Sequence, residues 1–309
     1  MNKLSLDLLA KISSFIVSPL YKLRSWIDKN EINIKQLCSN FSPGIIPILE
    51  NNMDKIDWYN LSQNPEAISI LEKNLDKVNW EGLSQNPNAI HILENNLNLV
   101  NWYALSENPN GIHILEMNLD KVDWENLSCN HNAISILEMN LDKVNWKSLS
   151  SNINAIRILE NNIDKIDWYG LSSNINAIHI LEKNLDKINW MRLSYNRNAI
   201  HILEENIDKI DWMWLSNNIN AVNILEQNID IINWVWLSRN INAISILEKN
   251  IDMINWTMLS SNVNAISLLE KHQNTNVLWG YFSLNESIFE VDIQLTRKMT
   301  YEFAKELLY

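Results

Sequence analysis

Several series of reactive side chains recur along this chain at a fixed interval, and each is a candidate for chemistry. Four histidines, His91, His113, His179 and His201, share one repeating place. A histidine ladder suggests a metal site or a proton relay. Ligands of one metal must bring donor atoms to ~2 Å from the ion, whereas equivalent residues in neighbouring helical units lie ~9–10 Å apart. The same place also holds Ser69, Ser135, Arg157 and Asn223, which suits a solvated face. A row of glutamates runs in parallel, from Glu72, Glu94 and Glu116 through Glu270. Paired carboxylates serve general acid–base catalysis, but none of these stands out by a catalytic partner set. The row reads as a solvated edge, partly balanced by a lysine column that includes Lys55, Lys77 and Lys121. A third column alternates aspartate and asparagine, as at Asp57, Asn79 and Asn101. It falls inside an apolar arc at the third position of a predicted helix, where a bond back to the capping backbone gives it a structural role. The expectation is therefore a chain with no catalytic, cofactor or metal residues, and not an enzyme.

The elements that carry these columns are set by tryptophan. Trp58, Trp80, Trp102, Trp124, Trp146, Trp168, Trp190, Trp212, Trp234 and Trp256 follow one another at an unbroken spacing of 22. Ten copies of one phrase in register predict an all-α fold, an α-solenoid of about twelve two-helix repeats with helical caps at both ends. The predicted divisions are an N-terminal helical cap over 1–28, a degenerate repeat over 29–50, ten regular repeats over 51–270, and a degenerate repeat with a cap helix over 271–309. In the degenerate ends, Ile34 takes the tryptophan place, and Trp279 arrives one residue late.

Within a unit, Asp76 is predicted to cap helix A over 77–84, with Leu75 and Trp80 as a hydrophobic staple. Asn86 caps helix B, Pro87 lies in its first turn, and Asn96 ends it in the left-handed conformation. Helices of about eight residues are unstable alone, so stacking must hold them. Packed at ~9–10 Å, a dozen units would extend on the order of 100 Å with superhelical curvature.

Composition narrows the function classes. A formal charge of −12 offers no bulk attraction for phosphate backbones or anionic lipid. Cys38 and Cys129 are the only cysteines and form no CxxC pair, which argues against a disulfide framework and for a reducing, intracellular compartment. Asp7 and Lys11 interrupt any signal-peptide core, and no apolar run approaches the ~18 residues that cross a bilayer.

The phrase Asn-Leu/Ile-Asp-Lys-Ile/Val-Asp/Asn-Trp-x-x-Leu-Ser-x-Asn-x-Asn-Ala-Ile-x-Ile-Leu-Glu resembles the asparagine-rich tandem repeats of giant DNA viruses of amoebae, the mimivirus type. The resemblance covers about residues 29 to 292, and Asn285-Glu286-Ser287-Ile288-Phe289-Glu290-Val291-Asp292 is similar to the closing segment of such arrays. It implies an α-solenoid of viral origin acting in host cytoplasm, and it carries over no catalytic residue. Ahead of it, Leu4, Leu8, Leu9, Ile12 and Phe15 predict an amphipathic helix, slightly similar to the opening of an F-box and read as a cap on the first repeat.

The functional expectation rests on a break in the pattern. The lysine column becomes Ile231 and Met253, the place after tryptophan becomes Met191, Met213 and Val235, and the next place, small in most earlier units, becomes Trp214, Trp236 and Met258. With positions 231 and 235 one turn apart on one helix, Met213, Trp214, Ile231, Val235, Trp236 and Met253 form an apolar patch. Such patches mark protein interaction sites, unless the C-terminal segment folds back over this one. The expected function is a non-enzymatic scaffold for a host or virion protein. The alternative is a helical-repeat nucleic-acid reader that stacks bases on Tyr59, Tyr103 and Tyr169, against which the acidic charge speaks.

Overall fold

A computed structural model describes residues 19–273 and 277–306, with side chains to residue 303. The chain is an α-solenoid of 22-residue units, each with two short helices. In the second regular unit, helix A is Trp80–Gln85 and helix B is Ile90–Glu94. Helix A starts on the tryptophan, three residues later than predicted. Its cap is Asn79, not Asp76: the Asn79 Oδ1 accepts the Gly82 amide at 2.8 Å. Asp57, Asn101, Asp123 and Asn145 repeat this bond in their units. The alternating aspartate and asparagine column is thus the N-cap series, because either side chain satisfies the orphan amide three residues on. Val78 just before the cap and Leu83 at the fourth helical place are both buried, which moves the staple from Leu75 and Trp80 to this pair.

Helix B is also shorter than predicted. Asn86 accepts the Asn88 amide at 3.0 Å in a turn, and the helix proper begins at Ile90. No described residue has a positive φ, so Asn96 does not end the helix in the left-handed region. Its side-chain amide instead donates to the Ile92 carbonyl at 2.8 Å. A carboxamide four residues past a free carbonyl satisfies it without any backbone reversal.

Asparagine and serine join the units. Asn86 Nδ2 donates to the Ser62 and Asn64 carbonyls of the preceding unit at 3.0 and 2.9 Å. Ser62 Oγ donates to the Trp58 carbonyl at 2.6 Å and accepts the Asn79 amide of the next unit at 2.9 Å. These groups are buried, and all are partnered, as buried polar groups require. Around them lies one continuous apolar core to which the regular units contribute Leu83- and Leu93-type residues and, except at Gly111, an Ala89-type residue.

The ladder has no free end. Asn40 of the first unit donates to the Ser283 and Asn285 carbonyls of the last at 3.0 and 3.1 Å. The Asn33 amide reaches Ser283 Oγ at 2.9 Å, the same contact made inside the array. Twelve asparagines, from Asn40 to Asn285, therefore form a closed circle of rungs. Consecutive A helices approach one another closely around this circle, while B helices stand further apart, which places A on the inner side and B on the outer.

A short antiparallel sheet fastens the seam. Strand β1 (Tyr21–Leu23) pairs with β2 (Phe289–Val291), setting Lys22 opposite Glu290. Arg24 Nε donates to the Ser287 carbonyl at 2.8 Å, and Trp26 packs on Trp279 and Phe282. Gly44 is required here: a Cβ would stand 2.4 Å from the Phe289 ring. The extended array of about 100 Å is thus replaced by a ring, because a turn of about 30° per unit returns the twelfth to the first. The described part of the predicted N-terminal cap, residues 19–28, carries β1 and turns. The predicted helix over Leu4–Phe15 lies outside the described residues. The predicted C-terminal helix is present over Ile293–Glu306, at the seam: the Leu20 amide donates to Thr296 Oγ1 at 2.9 Å.

Candidate interaction surface

The columns singled out in the sequence divide between faces. Histidines of the B-helix column are exposed, and three of the four pair with glutamate of the preceding unit. His91 to Glu72, His179 to Glu160 and His201 to Glu182 are each 2.8 Å. No cluster of three or more metal-ligating side chains occurs among the described residues. The lysine column does not balance the glutamates as expected. From Lys77 on, its members lie over the tryptophan of the preceding unit, as Lys121 does over Trp102 at 4.6 Å and Lys209 over Trp190 at 4.7 Å. A cation over an indole face is held by the ring quadrupole, whereas an exposed carboxylate further away is screened. Cys38 fills a serine place in the ladder, donating to the Ile34 carbonyl at 3.3 Å. Burial pushes its thiol pKa up, against a hydrogen bond from the Asp57 amide that lowers it.

The six residues of the expected patch fall into three pairs. Met213 and Val235 are exposed on the first turns of their A helices. Ile231 and Met253 are about half exposed, at 52% and 49%. Ile231 lies in the turn before the Trp234 helix and Met253 in the turn before the Trp256 helix: the A helix of Val235 starts at Trp234 with Asn233 as cap, so 231 and 235 do not share a helix. They occupy the lysine place, and by the repeat they cover Trp212 and Trp234, beside Met213 and Val235. Trp214 and Trp236 stand between adjacent A helices, stacked at 5.8 Å and 25°. At this place Gly82 allows close approach, since a Cβ there would meet the Tyr59 carbonyl at 2.9 Å; here aromatic slabs are inserted instead. The described C-terminal residues lie at the seam and leave Ile231 and Met253 open.

Sequence reasoning missed the residues that extend this arc. Tyr195 meets Trp214 edge-on at 5.9 Å, and Arg192 lies over Tyr169 at 4.8 Å. The signal was present: Tyr195 and Arg197 interrupt columns otherwise filled by small or uncharged residues in neighbouring units, such as Ser173 and Ile175. No known family, curated protein or solved structure matches the chain. No helix among the described residues is long and apolar enough to cross a membrane.

Proposed function

We propose that this ring is a non-enzymatic scaffold that binds a protein through the aromatic arc of its last regular units. The reading is supported by one observation above all. The place that carries lysine in every earlier regular unit but one, where it is Leu99, carries Ile231 and Met253. The place after tryptophan, which is tyrosine, glutamate or lysine in the first six regular units, carries Met213 and Val235. All four are exposed, beside stacked Trp214 and Trp236 where Gly82 and Gly170 stand in other units. The fold forms without large apolar groups at these places, and aromatic clusters dominate the energetics of interfaces. The resemblance to giant-virus repeats directs the search to a host or virion protein in the cytoplasm of an infected amoeba.

The test is Trp236→Ser with Ile231→Lys, which restore residue types used elsewhere in the array. The expected outcome is an unchanged melting temperature within about 2 °C and loss of the strongest partner in affinity capture from infected cells. Retention of that partner by a folded double variant overturns the docking role.

A further inference from the structure

A second feature lies against the aromatic arc. Across three consecutive units, Ser173, Ile175, Tyr195, Arg197, Asn217, Asn218 and Ile219 line a groove of about 260 Å³. Its polar lining is rich in donors. The Arg197 guanidinium, the Tyr195 hydroxyl and the Asn217 carboxamide have no hydrogen-bond or ion-pair partner among the described residues. Two further donors, Arg192 Nε and Trp214 Nε1, are buried and unpaired. They adjoin the same walls: Arg192 Nη2 donates to Ser173 Oγ at 3.3 Å, and Trp214 meets the Tyr195 ring. No aspartate or glutamate lines the groove. The equivalent grooves three and four units earlier are lined by Glu107. On a chain of net charge −12, the groove carries a cation and no carboxylate: Arg197 and Tyr195 are exposed on its walls, open to a ligand's acceptor, and the two buried unpaired donors stand behind those walls.

The size and walls limit what fits. The volume is below that of sites for drug-sized ligands, so one residue-sized group is the natural occupant. Ile175 and Ile219 give it apolar sides. One lining guanidinium presents a planar fork that matches the two oxygens of a carboxylate. A dianionic phosphate would need more positive charge than a single lining arginine on an acidic protein offers.

We propose that this groove holds the carboxylate of a peptide, a chain terminus or an acidic side chain, while the adjoining apolar side chain of that peptide rests on the aromatic arc. The proposal rests on the protein-binding reading above and names the chemistry of its partner. Arg197 is the anchoring cation, Tyr195 and Asn217 the supporting donors.

The closing experiment uses the full-length chain and two small probes, N-acetyl-L-phenylalanine and its amide. They differ only in the carboxylate. Binding is followed on the labelled methyl groups of Ile175 and Ile219 by NMR. The acid is expected to bind saturably with Kd on the order of 1 mM, and the amide about tenfold or more weakly. Arg197→Ile, which places in the groove a residue that other units use there, should weaken the acid about tenfold and leave the amide and the melting temperature unchanged. Arg197→Lys should fall between. Equal affinities of acid and amide, or an acid affinity indifferent to Arg197→Ile, overturn the proposal. So does displacement of the acid by inorganic phosphate at lower concentration than by acetate. Neither Ile231 nor Trp236 lines the groove. Acid binding that fails while partner capture still depends on those two residues therefore rejects the carboxylate pocket alone. Acid binding that persists when capture does not depend on them rejects the docking arc.

Discussion

Asn40 decides whether the ring is closed in solution. In the ring its side chain is fully buried at the seam. It donates to the Ser283 and Asn285 carbonyls at 3.0 and 3.1 Å and accepts the Ser42 amide at 2.9 Å. Asn152 makes the matching set inside the array, to the Ser128 and Asn130 carbonyls and from the Asn154 amide, each at 3.0 Å. Each such bond contributes about 1 kcal/mol net, so Asn40→Ala and Asn152→Ala should each lose about 3 kcal/mol. With a urea dependence of about 3 kcal/mol per molar for a chain of this size, both midpoints should fall by about 1 M. Far-UV circular dichroism in urea reads the shift, and hydrogen exchange at the Ser42 and Asn154 amides reads the local loss. In an open array Asn40 would sit on a terminal face in water, where substitution costs at most about 0.5 kcal/mol. A stable Asn40→Ala beside a weakened Asn152→Ala would refute closure.

Other outcomes follow from the same geometry. Small-angle scattering should give a radius of gyration of about 23 Å, with A helices ~18 Å and B helices ~27 Å from the ring axis, whereas a straight array would give about 33 Å. A value near the second figure rejects the ring. In native protein at pH 8, one thiol per chain should react with a disulfide reagent, because Cys129 is exposed while Cys38 is buried with its pKa raised; prompt reaction of two thiols contradicts the buried place of Cys38. Single-stranded RNA and DNA should bind no tighter than about 10 µM at physiological salt, given the charge of −12. Submicromolar binding with a steep salt dependence would favour the nucleic-acid reading.

Much of the architecture was legible because it is periodic. The tryptophan spacing and the apolar places of Ile90, Ile92 and Leu93 identify two helices per unit and a continuous core. Helix boundaries were less legible. Asp76 and Asn79 are both competent caps three residues apart, and the choice falls to Asn79 because Val78 and Leu83 are then buried together. The backbone tendency of asparagine points to a left-handed helix end at Asn96, whereas its side chain makes the simpler bond to the Ile92 carbonyl. Closure was the least legible feature. It depends on a small angle between neighbours summed over twelve units, and no single unit contains it. Its traces were nonetheless present in Asn33, Asn40 and Ser283, which keep the array's ladder residues at both ends. The apolar arc was visible as broken columns, but its division into an inserted tryptophan pair and four exposed residues depends on where helix A begins. The arginine groove was missed because Tyr195 and Arg197 each look like one surface variation until the fold sets them side by side.

The closed ladder also limits how such a chain can change in length. An open solenoid accepts a duplicated unit anywhere, since the new copy merely shifts an end. Here a thirteenth unit would have to share one full turn, reducing the rotation per unit from about 30° to about 28°. Every asparagine rung would shift slightly at once, or the Asn40 rung and the β1–β2 pair would part. Unequal crossing-over between near-identical 22-residue stretches, which readily resizes repetitive genes, therefore meets selection at a single place, the seam. Sequence drift within units is tolerated, and their number is held.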